Sequence, residues 1–96
     1  MIFMAPEIID GYPHTSACDI WSLGIILFMM LSGAYPFNLK NVEKEIVSTP
    51  LLFLGPTWEN ISAECKDLIS QMMKKDHGER ISAADALAHP WMRLRT

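Results

Sequence analysis

The side chains able to do chemistry in this chain are few and dispersed. His14, His77 and His89 stand at spacings unsuited to a metal site, and each is expected to be a loop or packing residue. Cys18 and Cys65 lie far apart and form no CxxC pair. The plain expectation is two free, buried thiols in a reducing, intracellular and cytoplasmic setting. No Gly-rich phosphate loop, HExxH or GxSxG is present. Among the acids, Asp19 stands out because it sits beside a fully apolar run, where a carboxylate must be hydrogen-bonded to avoid a large desolvation cost. It either caps its own helix or accepts N–H groups from a loop of the same domain. Glu7 and Arg80 are either solvated or a buried ion pair, and spacing alone leaves both open.

These residues need elements to hold them, and one element dominates. Thr15 to Gly33 reads TSACDIWSLGIILFMMLSG, and from Ile20 to Leu31 only Ser22 and Gly24 interrupt large apolar side chains. Thr15 or Ser16 can cap the first free N–H groups, Asp19 suits the positive end, and Gly33 suits the position after the last turn. The pattern predicts a helix from Ser16 to Ser32, apolar on nearly every face and therefore buried on all sides. About 12 apolar residues fall short of the roughly 20 that span a bilayer, so a core helix is expected rather than a membrane one.

Around it, Ala5 to Ile9 suits a short helix opened by Pro6, and Asp10–Gly11 marks a turn. Asn41 to Ser48 reads as a short helix capped by Asn41, with Val42, Ile46 and Val47 inward and Glu43, Lys44 and Glu45 solvated. Leu51 to Leu54 is an extended or irregular apolar run closed by Gly55–Pro56, and Trp58 is expected to plug a core. Ser62 caps the next helix, on which Cys65, Leu68, Ile69, Met72 and Met73 recur at helical spacing. Ser82 and Asp85 resemble a capping box for a last helix with Ala84, Leu87, Ala88 and Trp91 on its inner face and Pro90 limiting it. Met29, Met30, Met72 and Met73 are expected to fill gaps in the core. Arg93 and Arg95 form a basic tail end. Strand signal is almost absent, so the chain reads all-α.

Composition bounds the partners. The 96 residues carry 8 basic and 11 acidic side chains, well mixed, for a net charge of −3. With no basic patch, neither nucleic acid nor a membrane surface is expected as a partner. The initial MIFMAP is too short, and lacks the charge, for a signal peptide. Half the chain is hydrophobic, with seven Met and three Trp. So small a domain has a poor ratio of volume to surface and cannot easily surround a helix apolar on every side. A piece of a larger globular domain, or an obligate partner-bound subunit, is the expectation.

Several stretches together resemble the protein kinase family. MAPEII (Met4 to Ile9) looks like the A-P-E segment that ends the activation loop. CDIWSLGIILFMMLSGAYPF (Cys18 to Phe37) looks like the D-x-W-S-x-G helix and the P-F turn after it. ECKDLI (Glu64 to Ile69), then Arg80 before ISAADALAHPW (Ile81 to Trp91), looks like the closing helices. The wording is most similar to the calcium/calmodulin-dependent and calcium-dependent Ser/Thr kinases. The resemblance covers nearly the whole chain and implies the C-terminal helical half of a kinase large lobe, all-α here within an α+β domain.

That resemblance assigns roles. Ala5, Pro6 and Glu7, with Arg80 as the buried partner of Glu7, would anchor the activation segment. Asp19 would hydrogen-bond the backbone of the catalytic loop, with Trp21 and Gly24 as adjacent packing positions, Gly24 allowing close approach. Ile2, Phe3 and Met4 would line the pocket for the substrate residue after the phosphorylated Ser or Thr, and the 41–48 helix would dock substrates or regulators. The Gly-rich loop, the β3 lysine, the αC glutamate, HRD and DFG are not in this sequence. Phosphoryl transfer needs those parts. ATP and Mg²⁺ would therefore bind the full-length parent through residues outside this chain, with no catalytic, cofactor or metal residue here and the rest of the kinase domain as partner. The stretch from Asn38 to Trp58 is a few residues shorter than in close relatives, and Met29 stands where some kinases preferring basic substrates carry glutamate. A stand-alone, non-catalytic interaction module or pseudokinase piece is the alternative.

Overall fold

Residues Ser16–Ser32 form the 17-residue helix α2 around which the others gather. In this computed structural model, which describes residues 2–93, α1 spans Pro6–Ile9, α3 Val42–Ser48, α4 Pro56–Glu59, α5 Ala63–Met72, α6 Ala83–Leu87 and α7 Pro90–Arg93. A 3₁₀ turn over Leu39–Asn41 precedes α3, and no strand occurs among the described residues. Met1 and Arg95, parts of the apolar start and the basic tail end, lie outside them.

The ends of α2 fall where its sequence places them. Thr15 is extended and precedes the first turn, although its side chain makes no capping bond. Gly33 adopts φ +74°, and its N–H donates to the Met29 carbonyl at 2.8 Å, closing the last turn. Burial of α2 is one-sided, contrary to expectation. Cys18, Ile20, Trp21, Gly24, Ile25 and Phe28 are buried, while Leu23, Ile26 and Met30 are 51%, 42% and 78% exposed. Met30 therefore fills no core gap. The other described elements reach only one side of the helix.

The buried side rests on α5. Ser62 Oγ accepts the Cys65 N–H at 3.2 Å and starts α5, and its apolar residues Cys65, Leu68, Ile69, Met72, together with Met73, are all buried. The two helices meet at Gly24, where a Cβ would stand 2.6 Å from Met73 Cγ and 3.1 Å from Met72 Cβ. Against the far end of α2, Trp58 of α4 packs on Phe28 and Phe53, with ring centroids 4.7 and 4.8 Å apart. The short helix α4 itself was not expected. Gly55, at φ +102°, turns the chain and Pro56 supplies a preset first residue.

Two boundaries differ from the reading of the sequence. Asn41 makes no side-chain cap; the chain first forms the 3₁₀ turn, and Asn38 Oδ1 accepts the Lys40 N–H at 2.9 Å. On α3, Ile46 is fully buried and Val42 and Val47 half-buried, and Glu45 is half-buried rather than solvated, accepting from Thr49 Oγ1 at 2.8 Å. The last helix is two helices. Ser82 Oγ caps α6 by accepting the Asp85 N–H at 3.1 Å, but Pro90 opens α7, where its missing N–H costs nothing. The break turns Ala84, Leu87 and Ala88 outward, and Ala86, Trp91 and Met92 pack on the core.

Gly24→Ala puts a methyl group where two methionines already stand. It should lower stability by about 1–3 kcal/mol, as overpacking does, although alanine is the better helix former. A denaturant titration of the intact kinase polypeptide reads this, and an unchanged or raised midpoint would show that α5 gives way freely.

Candidate functional site

The densest polar arrangement joins the two ends of the chain. Glu7, on α1, and Arg80, in the loop between α5 and α6, form a buried two-pronged ion pair, with Nη1–Oε2 at 2.6 Å and Nη2–Oε1 at 2.9 Å. Arg80 also donates from Nε to the Lys74 carbonyl at 2.9 Å, from Nη1 to the Ala17 carbonyl at 2.9 Å and from Nη2 to the Lys75 carbonyl at 3.4 Å. Each N–H of the guanidinium is thereby used. The Cys18 thiol donates to Glu7 Oε2 at 3.4 Å, and the Trp21 ring lies 5.3 Å from the guanidinium carbon. Of the two readings open in the sequence, the buried pair is the one formed. Burial pushes the Glu7 carboxyl up, but the Arg80 hydrogen bonds, a backbone donor, the Arg80 charge and the Cys18 thiol outweigh it and hold it at about 2.

Asp19 is placed differently. Its side chain is 68% exposed and faces His14, with Nε2–Oδ1 at 3.2 Å. An exposed pair of this kind contributes about 0–1 kcal/mol. The desolvation argument does not apply, because Asp19 lies on the open side of α2. There it heads the stripe of Leu23, Ile26 and Met30, spaced four, three and four residues apart along one helix face. The stripe forms one wall of an apolar groove of about 350 Å³, whose other wall is Leu87, Trp91 and Met92.

The segment before α1 is held by its main chain. Ser22 Oγ donates to the Phe3 carbonyl at 2.7 Å, and the Tyr35 hydroxyl donates to the Ile2 carbonyl. Ile2 packs on the core, whereas Phe3 and Met4 are 38% and 45% exposed and line a shallow cavity with Ile8 and His14. Ala5 and Pro6 are buried at the start of α1, and Trp21 is fully buried, with its indole N–H unpartnered among the described residues. Thus Glu7, Arg80 and Trp21 come together, while Asp19 stands apart from them on the open face.

Contacts that the sequence does not reveal complete the picture. Ser22 and Tyr35 are long-range clamps on residues 2 and 3, invisible to spacing. His89 is buried: Nδ1 accepts the Trp91 N–H at 3.1 Å, so Nε2 carries the proton and donates to Asp67 Oδ2 at 2.8 Å. That bond, from His89, draws the Asp67 carboxyl below its ordinary value. No group of three or more His, Cys, Asp or Glu is placed to hold a metal among the described residues.

The protein kinase domain family model matches residues 1–92. The chain belongs to the protein kinase family. Serine/threonine-protein kinase PKZ1 of Phytophthora infestans is 42% identical over 96 residues, covering 94% of this chain and 24% of that protein. Calcium-dependent protein kinase 4 of Plasmodium berghei is 41% identical over 97 residues, covering 98% of this chain and 18% of that protein. The solved twitchin kinase region from C. elegans superposes with a TM-score of 0.88 at 31% identity, over 94% of this chain and 17% of that one. The chain spans a quarter or less of the length of these kinases. Its helices are those of the C-terminal helical part of a kinase domain.

Glu7→Gln keeps the shape of the side chain and strands the Arg80 charge, which should cost about 3–5 kcal/mol of stability. Unfolding of the intact kinase polypeptide by denaturant at neutral pH measures it; a loss below 1 kcal/mol would mean that the pair is solvated. Because the folded carboxyl sits at about 2 against an ordinary 4.5, its contribution is complete above pH 4.5 and is lost as pH falls toward 2. Stability between those pH values should therefore fall less steeply in Glu7→Gln than in the parent chain.

Proposed function

We propose that, in a Ser/Thr protein kinase polypeptide, residues 1–96 are a partial kinase domain that positions the substrate segment and braces the catalytic loop. ATP and Mg²⁺ are then held by the remainder of the kinase domain, and this stretch is inactive without it. The observation that carries the reading is the open face of α2: an exposed carboxylate, Asp19, at the head of an exposed apolar stripe. Such a face suits a partner element that offers backbone N–H groups at one end and apolar side chains along its length. In this reading Asp19 accepts from the catalytic loop, Trp21 and Gly24 seat the helix beneath it, and the rest of the domain covers Leu23, Ile26 and Met30.

The clamped backbone of Ile2 and Phe3 supports the substrate role. With its main chain fixed, that segment offers Phe3 and Met4 to the side chain that follows a phosphorylated Ser or Thr. Ala5, Pro6, Glu7 and Arg80 anchor it, and the 41–48 helix docks protein substrates. Cys18 and Cys65 are buried and form no disulfide, which agrees with an intracellular, cytoplasmic kinase. The second reading, a stand-alone interaction module, draws on the sealed core of Trp21, Ile25, Ile46, Leu68 and Ile69.

Two measurements separate them. In the intact kinase polypeptide, Asp19→Ala should lower kcat on the order of 10–100-fold through a displaced loop while leaving the KM for ATP unchanged; an unchanged kcat would overturn the bracing role. The purified 96-residue chain should bind a hydrophobic dye and lack a sharp melting transition. A cooperative melt without dye binding would instead favour the module.

A further inference from the structure

Lys75 lies between α5 and Arg80, and its ammonium crosses to another helix. Nζ donates at 2.5 Å to the carbonyl of Ile46, in the last turn of α3. The preceding carbonyl, of Glu45, is already taken by the Thr49 N–H at 2.8 Å. A cation at this end of a helix also meets the negative pole of its dipole. The ammonium stands 4.9 Å from the centroid of Phe37 and 5.5 Å from that of Trp21, two rings stacked within 5° of parallel. Burial pushes the ammonium down from its ordinary value, and the Glu45 charge opposes that.

The main chain at Lys75 is held too, through a 2.9 Å bond to the Lys74 carbonyl and a longer 3.4 Å contact to its own. Arg80 donates to the carbonyls of Lys74 and Lys75, so the guanidinium that grips Glu7 also fixes the main chain from which Lys75 projects. A continuous path runs from the Glu7 carboxylate through Arg80 and the Lys75 backbone to Nζ, and from there to α3. At seven residues α3 is too short to persist on its own propensity, so tertiary ties decide its position. Its fully buried side chain is Ile46, the same residue whose carbonyl Lys75 holds.

We propose that Lys75 is a positioning residue that couples α3 to the Glu7–Arg80 pair and so sets where the docking helix stands relative to the substrate segment. The docking part rests on the reading of α3 given above; the coupling does not. Lys75→Met keeps the aliphatic stem and removes the charge and its donors, and Lys75→Arg keeps a cation with donors.

The test uses the intact kinase polypeptide, with casein as the protein substrate and a short peptide around one of its phosphorylated serines as the other. In Lys75→Met, hydrogen exchange at the amides of Val47, Ser48 and Thr49 should quicken about tenfold, the scale of losing one charged hydrogen bond. The KM for casein should rise several-fold, with kcat and the peptide KM unchanged, and Lys75→Arg should restore most of both effects. Unchanged exchange in α3 would overturn the coupling. A fall in kcat together with a rise in both KM values would also overturn it, since that marks general damage. Faster exchange with both KM values unchanged would sustain the coupling and remove the docking role instead. If Lys75→Met does not fold, Lys75→Gln, which keeps a shorter neutral donor, is read against the same outcomes.

Discussion

One buried guanidinium holds this structure together. A charge taken out of water must be matched by an opposite charge and by acceptors for its remaining donors, or the fold loses several kcal/mol. Arg80 meets that demand by drawing on four separate places: the Glu7 carboxylate of α1, the Ala17 carbonyl at the head of α2, and the carbonyls of Lys74 and Lys75 after α5. Satisfying one side chain thus forces the first helix, the central helix and the end of α5 to meet at a single point. The aromatic face of Trp21 forms the floor of that point.

Apolar packing then works outward from it. Trp21 and Ile25 of α2 meet Cys65, Ile69 and Met73 across the gap that Gly24 leaves, and Phe28 carries the contact on to Phe53 and Trp58. The polar anchor fixes direction and the apolar contacts supply most of the cohesion, since neither a buried pair nor a short helix is a strong source of stability alone. The outcome is asymmetric. One face of α2 is sealed and the other is open, in a chain that spans a quarter or less of the length of these relatives.

Local signals mark α2 and α5 in the sequence, fail at two helix starts, and say nothing of contacts between distant residues. The limits of α2 followed from its apolar run and Gly33, and α5 followed from its spacing and Ser62, because caps and periodicity act within one turn. Asn41 ends a 3₁₀ turn capped by Asn38 and so makes no side-chain cap for α3, a competition between neighbouring starts that propensity does not decide. The last helix broke at Pro90, which can end one helix or begin the next with equal ease. The ion pair could be suspected but not decided, since Glu7 and Arg80 are distant in sequence and only the fold brings them together. For Ser22, Tyr35, Lys75 and His89 the sequence gives no partner: each acts through a contact with a far-off main-chain or side-chain atom. Family resemblance supplied what periodicity lacks, a reason to look for Arg80 beside Glu7.

The open stripe on α2 carries a cost in the crowded cell. Leu23, Ile26 and Met30 present water with a continuous greasy ridge, and such a ridge attracts whatever apolar surface is nearest. Any polypeptide that displays it unsheathed becomes a client of chaperones and proteases, and self-association grows with its concentration. Whatever sheathes the ridge, a neighbouring part of the same polypeptide or a second molecule, thereby governs how much of this chain stays dispersed.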